Sequence, residues 1–185
     1  GRIEGGLDRT MLIDRFVTSI EGRNRLVGRV YLTALDRAST ALDRAYWAGR
    51  VADGMTAEVL LATLLASPEG VQNAGGTPEA FAEKLYDAHL VRTPSASEVE
   101  YWAGRAAATT SEAQVRRLAM QFGRMPEATQ VALVQAATLV CGTTVFPPGV
   151  ADALRARWTA HGRNPLRLDG DTLALLCPSS SAPPD

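Results

Sequence analysis

Apolar residues recur along this chain at the i, i+3, i+4 spacing of one helix face, and no stretch sustains the alternation of a half-buried strand. The pattern predicts a nearly all-α fold. Residues 1–7 are glycine-rich and read as loose. Asp8 offers an N-cap oxygen to a helix carrying Met11, Leu12, Ile13, Phe16 and Val17. Ser19-Ile20-Glu21-Gly22 punctuates the pattern; Leu26, Val27, Val30, Tyr31, Ala34 and Leu35 then form a second helical face ending near Asp36. Thr40 caps a helix with Tyr46, Trp47 and Val51, which stops at Asp53-Gly54, where glycine accepts the left-handed conformation. Thr56 caps the next, with Val59, Leu60, Leu64 and Leu65 inward, and Ser67-Pro68-Glu69-Gly70 reads as a closing turn.

The same order then recurs. Thr77-Pro78-Glu79 starts a helix with proline at the first helical position, where its missing N–H costs nothing, and Phe81, Leu85, Tyr86, His89 and Leu90 continue it. Pro94-Ser95 starts a helix with Tyr101 and Trp102. Ser111 and Gln114 have the spacing of a capping box ahead of Val115, Leu118 and Phe122. Met125-Pro126-Glu127 stands where Ser67-Pro68-Glu69 stood. A third stretch runs from Pro126 through Val131, Val134 and Leu139, breaks at Pro147-Pro148-Gly149 and resumes with Val150, Leu154 and Trp158. Asn164-Pro165 interrupts it, and Asp171 caps a short last helix over 173–177. The tail from Pro178 has a linker composition that cannot bury a core.

Aligned on tryptophan, the motif reads A-Y-W-A-G-R at Ala45 to Arg50, E-Y-W-A-G-R at Glu100 to Arg105 and, more weakly, A-R-W-T-A-H at Ala156 to His161. Trp47, Trp102 and Trp158 stand 55 and 56 positions apart, and twelve positions before each lies Leu35, Leu90 or Phe146. Tyr31 and Tyr86 match in the same frame. A repeat of this length predicts stacked helical units with the aromatics as mortar. The expected organisation is one all-α domain over 8–177, with units at 8–70, 71–127 and a degenerate capping unit at 128–177, between a flexible segment at 1–7 and a tail at 178–185.

Composition narrows the function. The chain has 185 residues, 46% hydrophobic and 21% charged, which is enough for one domain with a real core. Its 19 basic and 20 acidic residues leave no electrostatic footprint for nucleic acid. No apolar run approaches the roughly 20 residues of a membrane helix. Gly1-Arg2-Ile3-Glu4 lacks the basic and apolar regions of a signal peptide, as an internal piece of a longer secreted chain would. Lys84, the single lysine among many arginines, reads as a compositional bias. Cys141 and Cys177 lack the Cys/His spacing of a zinc site. They read either as a disulfide, in an exported protein, or as two small buried hydrophobes.

Several of these elements together resemble a bacterial helical module known as domain of unknown function 4214. Its pattern has a helix ending L-x-R, a P-D turn (whose aspartate is Thr40 or Ser95 here, either of which can still cap), a Y-W helix, a G-x-[ST] turn with a following valine, and a closing S-x-E. The first copy here is Leu35-Asp36-Arg37, Ser39-Thr40, Tyr46-Trp47, Gly54-Met55-Thr56, Val59 and Ser67-Pro68-Glu69; the second is Leu90-Val91-Arg92, Pro94-Ser95, Tyr101-Trp102, Ser111, Val115 and Pro126-Glu127. Asp43 and Glu98 replace a glycine of the pattern, and the third copy lacks the tyrosine and the L-x-R arginine. The family is similar to modules of large secreted or surface-layer-associated bacterial proteins and is distantly like phycobilisome linker domains. The resemblance implies an extracellular scaffold or anchoring role with a protein or surface-polysaccharide partner, and carries over no catalytic residue.

Candidate chemistry is sparse. Tyr46, Tyr101 and the three tryptophans have two readings, a sugar-stacking face or the core between units, and helical spacing with repetition favours the core. His89 and His161 have no sequence partner and read as structural or exposed. Asp169-Gly170-Asp171 lacks the later glutamate of a calcium loop. Arg23, Arg25 and Arg29 share a helical spacing that suits an acidic polymer or, more commonly, a solvated face paired with acids. No serine, cysteine or threonine sits in a nucleophile context, so no catalytic residue, cofactor or metal is expected. The expectation is a non-enzymatic interaction or anchoring module of an exported or cell-surface bacterial protein. The alternatives are a carbohydrate-binding domain using exposed Tyr or Trp, and an accessory domain of a secreted enzyme.

Overall fold

The computed structural model describes residues 19–141 and residue 156, and its first described helix opens at Ser19. The Ser19 hydroxyl accepts from the Gly22 N–H, so the stretch read as punctuation opens helix α1 (Ile20–Leu35). Helix α1 ends at Asp36 in the left-handed conformation. There follow α2 (Ala41–Ala52), α3 (Ala57–Ala66) and α4 (Pro68–Asn73), then α5 (Pro78–Leu90), α6 (Ala96–Ala107), α7 (Glu112–Gly123) and α8 (Pro126–Cys141). The described residues are all-helical, with no strand.

Local chemistry sets most of these boundaries. Thr40, Thr56, Ser67, Thr77, Ser95 and Ser111 each accept a hydrogen bond from the backbone three residues on, satisfying one of the orphan donors of a helix start. Ser67 to Gly70 is not the expected closing turn. Ser67 ends α3 by donating to the Leu64 carbonyl and simultaneously caps α4 by accepting from Gly70 N. The corner is so tight that a Cβ on Gly70 would lie 2.2 Å from the Leu64 carbonyl oxygen, so only glycine fits. The Ser111 box is also not reciprocal. Gln114 Oε1 accepts from the N–H and hydroxyl of Thr110 instead of closing back on Ser111.

Helix α3 is apolar on nearly every side, and a helix of that kind must lie inside. It packs against α1 on one flank and α7 on the other, while α1–α2 and α5–α6 form hairpins around this centre. Leu60 and Leu65 of α3, Val27 of α1, Leu85 of α5 and Phe122 of α7 are the largest fully buried side chains. Polar ties cross between the first four helices and the last four. Lys84 is buried and binds both carboxylate oxygens of Asp36 at 2.8 Å, so the single lysine fastens α5 to the end of α1. Arg124, beyond α7, donates to Glu58 in the first turn of α3 at 2.6 Å.

Leu35, Leu90 and Trp102 belong to the buried core, and Trp47 is partly buried against it. Tyr46 and Tyr101 do not: they are 57% and 59% exposed, which corrects the expectation that they fill the core. The reason is geometric. Neighbouring residues on an α-helix diverge by about 100°, so when Trp47 and Trp102 turn inward the adjacent tyrosines face water. The expected helix at 11–17, the 147–149 break, Phe146, Trp158, His161, the 169–171 turn, the 173–177 helix and the tail lie outside the described residues. So do the side chains of Cys141 and Cys177 and any bond between them.

Candidate functional site

The two Y-W helices are fixed by an arginine clamp that occurs once in each half of the described chain. In the first, Thr40 and Asp43 make a full capping box: Thr40 Oγ1 accepts from Asp43 N at 3.1 Å and Asp43 Oδ2 accepts from Thr40 N at 2.8 Å. The same Asp43 oxygen accepts from Arg37 Nη1 at 3.1 Å, and Arg37 makes a fork on Glu69, with Nη2 3.1 Å from Oε2. In the second, Ser95 and Glu98 form the box, Arg92 binds Glu98 at 2.8 and 3.2 Å, and its fork on Glu127 measures 2.7 and 3.1 Å. Arg37 with Arg92, and Thr40 with Ser95, stand 55 positions apart; Glu69 and Glu127 stand 58 apart because both α7 and the turn after it are longer than α3 and its turn.

Each clamp rests on a buried tyrosine. The Arg37 guanidinium lies 4.9 Å from the Tyr31 ring centre and that of Arg92 4.8 Å from Tyr86. The Tyr31 hydroxyl accepts from the Trp47 indole N–H at 2.8 Å. Burial, joined by the neighbouring carboxylates Asp43 and Glu98, raises both phenol pKa values. Burial pushes the Asp43 carboxyl up, but hydrogen bonds from the Thr40 backbone and hydroxyl and from Arg37 outweigh it and hold the pKa at about 2. The Arg92 guanidinium and then Ser95 hold Glu98 at about 2, and Arg37 and Arg92 likewise depress Glu69 and Glu127.

Above the clamps, Tyr46 and Tyr101 stand outward, each edge-on to the indole beside it, with ring centres 4.9 and 5.3 Å apart. One turn later a guanidinium covers each phenol: Arg50 at 6.0 Å from the Tyr46 centroid and Arg105 at 5.7 Å from that of Tyr101. Arg105 also donates to Gln121 at 2.8 Å. The tryptophans differ in cover. Phe122 of α7 lies 4.8 Å from both Trp102 and Tyr86, and Trp102 is buried whereas Trp47 is half-buried.

The remaining candidates separate cleanly. Arg25 pairs with Glu21 one turn away at 3.5 Å, both exposed, on a solvated helix face; Arg29 is exposed on that helix and Arg23 half-buried. His89 is buried against Phe122 and Gly123, its Nε2 lacks a hydrogen-bond partner, and burial lowers its pKa to about 4. Among the described residues no group of His, Cys, Asp or Glu could hold a metal, and no helix is long and apolar enough to cross a membrane.

The sequence places Arg37, Arg92, Asp43 and Glu98 in the repeat, but their meeting in one clamp per half was not foreseen. The signal was present, since Thr40-x-x-Asp43 and Ser95-x-x-Glu98 carry capping-box spacing. The forks on Glu69 and Glu127 span 32 and 35 positions and have no local signature. The chain matches no family model, no curated protein and no solved structure.

Proposed function

We propose that this chain is a non-enzymatic interaction and anchoring module of a larger exported, surface-associated bacterial protein, built from tandem helical units of about 55 residues with a degenerate third unit as cap. One observation carries the reading: an outward Tyr-x-x-x-Arg pair occurs on equivalent helices, each fastened beneath by its own arginine clamp. A rigid scaffold that presents the same surface group at regular intervals suits binding to a partner that is itself repetitive or extended. The likeness to domain of unknown function 4214 in the L-x-R, Y-W and closing glutamate positions supports the exported, scaffold-type setting.

The partner is a protein or a surface polysaccharide. The exposure of Tyr46 and Tyr101 favours the second, because an aromatic ring in water is a stacking platform. The test is co-sedimentation of the full chain with envelopes of its own bacterium. The expected result is saturable retention that the Tyr46→Ser/Tyr101→Ser variant loses. A chain that stays in the supernatant, or that turns over glycan or peptide substrates, contradicts the reading.

A further inference from the structure

The described arginines differ in what meets their charge. Arg25, Arg37, Arg92 and Arg124 are each neutralised by a carboxylate. Arg50 and Arg105 carry no ion pair among the described residues, and each instead lies over an exposed tyrosine ring on equivalent helices. Arg105 also reaches Gln121 of α7 at 2.8 Å and lies 5.5 Å from the Trp102 ring centre. The common surroundings of the two arginines are a flat phenol, braced edge-on by an indole, and a positive charge at its rim.

A third feature recurs with them. Gly49 and Gly104 sit in the interiors of α2 and α6, exposed, and a Cβ at either would meet nothing within 4 Å. Glycine weakens a helix interior, and no neighbour in the fold requires its smallness here. In both copies it lies between tyrosine and arginine, where it clears the backbone for close approach by a rigid body. A pyranose ring has an apolar C–H face that stacks on a phenol, and a carboxylate on that ring answers the guanidinium. A flexible acidic side chain of a peptide reaches an arginine without a cleared helix surface.

We propose that Tyr46-Gly49-Arg50 and Tyr101-Gly104-Arg105 are two equivalent subsites for uronic-acid residues of an acidic polysaccharide. The inference rests on the interaction-module reading and names its ligand.

The probe is α-1,4-linked trigalacturonate, titrated into the full chain with ring-labelled tyrosine and followed by NMR, with maltotriose and pentaglutamate in parallel. The expected result is saturable movement of the Tyr46 and Tyr101 ring signals, with Tyr31 and Tyr86 unmoved. Arg50→Gln/Arg105→Gln should weaken binding on the order of tenfold or more, the size of a lost charge-assisted contact. Gly49→Leu/Gly104→Leu should abolish the response while leaving the Tyr31 and Tyr86 signals in place, which certifies the fold. No movement up to roughly millimolar trigalacturonate overturns the proposal, as does an equal response to maltotriose. A stronger response to pentaglutamate overturns it in favour of an acidic peptide. Envelope retention without a trigalacturonate response sinks this proposal alone; failure of both sinks the anchoring reading as well.

Discussion

Val91 is a β-branched residue at φ 53°, closing α5 in the left-handed region where Asp36, at φ 51°, closes α1. Side chains with a Cβ strain there, and valine lacks the local hydrogen bonding that lets aspartate tolerate it. Val91 is mostly exposed, so little packing is lost with its side chain. Val91→Gly is therefore expected to stabilise the chain by about 1 kcal/mol in urea denaturation. His89 makes the opposite kind of demand. Its folded pKa of about 4 lies below the ordinary 6.5, so the unfolded chain binds the extra proton between those values. Stability from this residue is complete above pH 6.5 and declines as pH falls towards 4, by roughly 3 kcal/mol. Asp43 and Glu98, held at about 2, add a second decline that begins below their ordinary values, under about pH 4.5. Denaturation midpoints of the wild type and His89→Leu should diverge in slope between pH 6.5 and 4 and run parallel above it.

At the scale of elements, the clamp joins three pieces of chain that sequence separates. Arg37 is over a third exposed, so solvent screening holds its fork on Glu69 to the weaker range of ion pairs. A double-mutant cycle of Arg37→Met and Glu69→Gln should give a coupling energy of about 1 kcal/mol, and zero coupling would make the fork incidental. The glycines give a sharper contrast. Gly70→Ala drives a methyl into backbone carbonyls that cannot retreat and should cost roughly 3 kcal/mol, while Gly104→Ala fills empty space on a helix and should gain about 1 kcal/mol. Thermal melts of the two variants should move in opposite directions. Helix boundaries were legible because a hydroxyl before an apolar run acts within one turn, as at Thr40, Thr56, Thr77 and Ser95. The directions of Tyr46 and Tyr101 were not legible from repetition alone: a residue repeated for its surface recurs just as faithfully as one repeated for the core. Helix phase holds that information, since Leu42, Tyr46 and Arg50 share a solvent stripe one turn apart.

Over the whole molecule, the apolar α3 packs between α1 and α7, Lys84–Asp36 ties the α5–α6 hairpin to the α1–α2 hairpin, and Arg124–Glu58 ties the end of α7 back to α3. That arrangement depends on long-range pairing, which is why local pattern foretold an all-α fold without foretelling which helices meet. The same arrangement sorts the four tyrosines into two classes. Tyr31 and Tyr86 are 4% and 3% exposed with raised pKa values, whereas Tyr46 and Tyr101 stand in water on the surface proposed to bind. Nitration by tetranitromethane needs an accessible phenolate, so both burial and the raised pKa protect the inner pair. Peptide mapping of the folded chain after brief nitration should find Tyr46 and Tyr101 modified together and Tyr31 and Tyr86 spared until the protein unfolds. Equal modification of all four, or protection of Tyr46 and Tyr101, would contradict a scaffold that clamps one pair of tyrosines inside and offers the other.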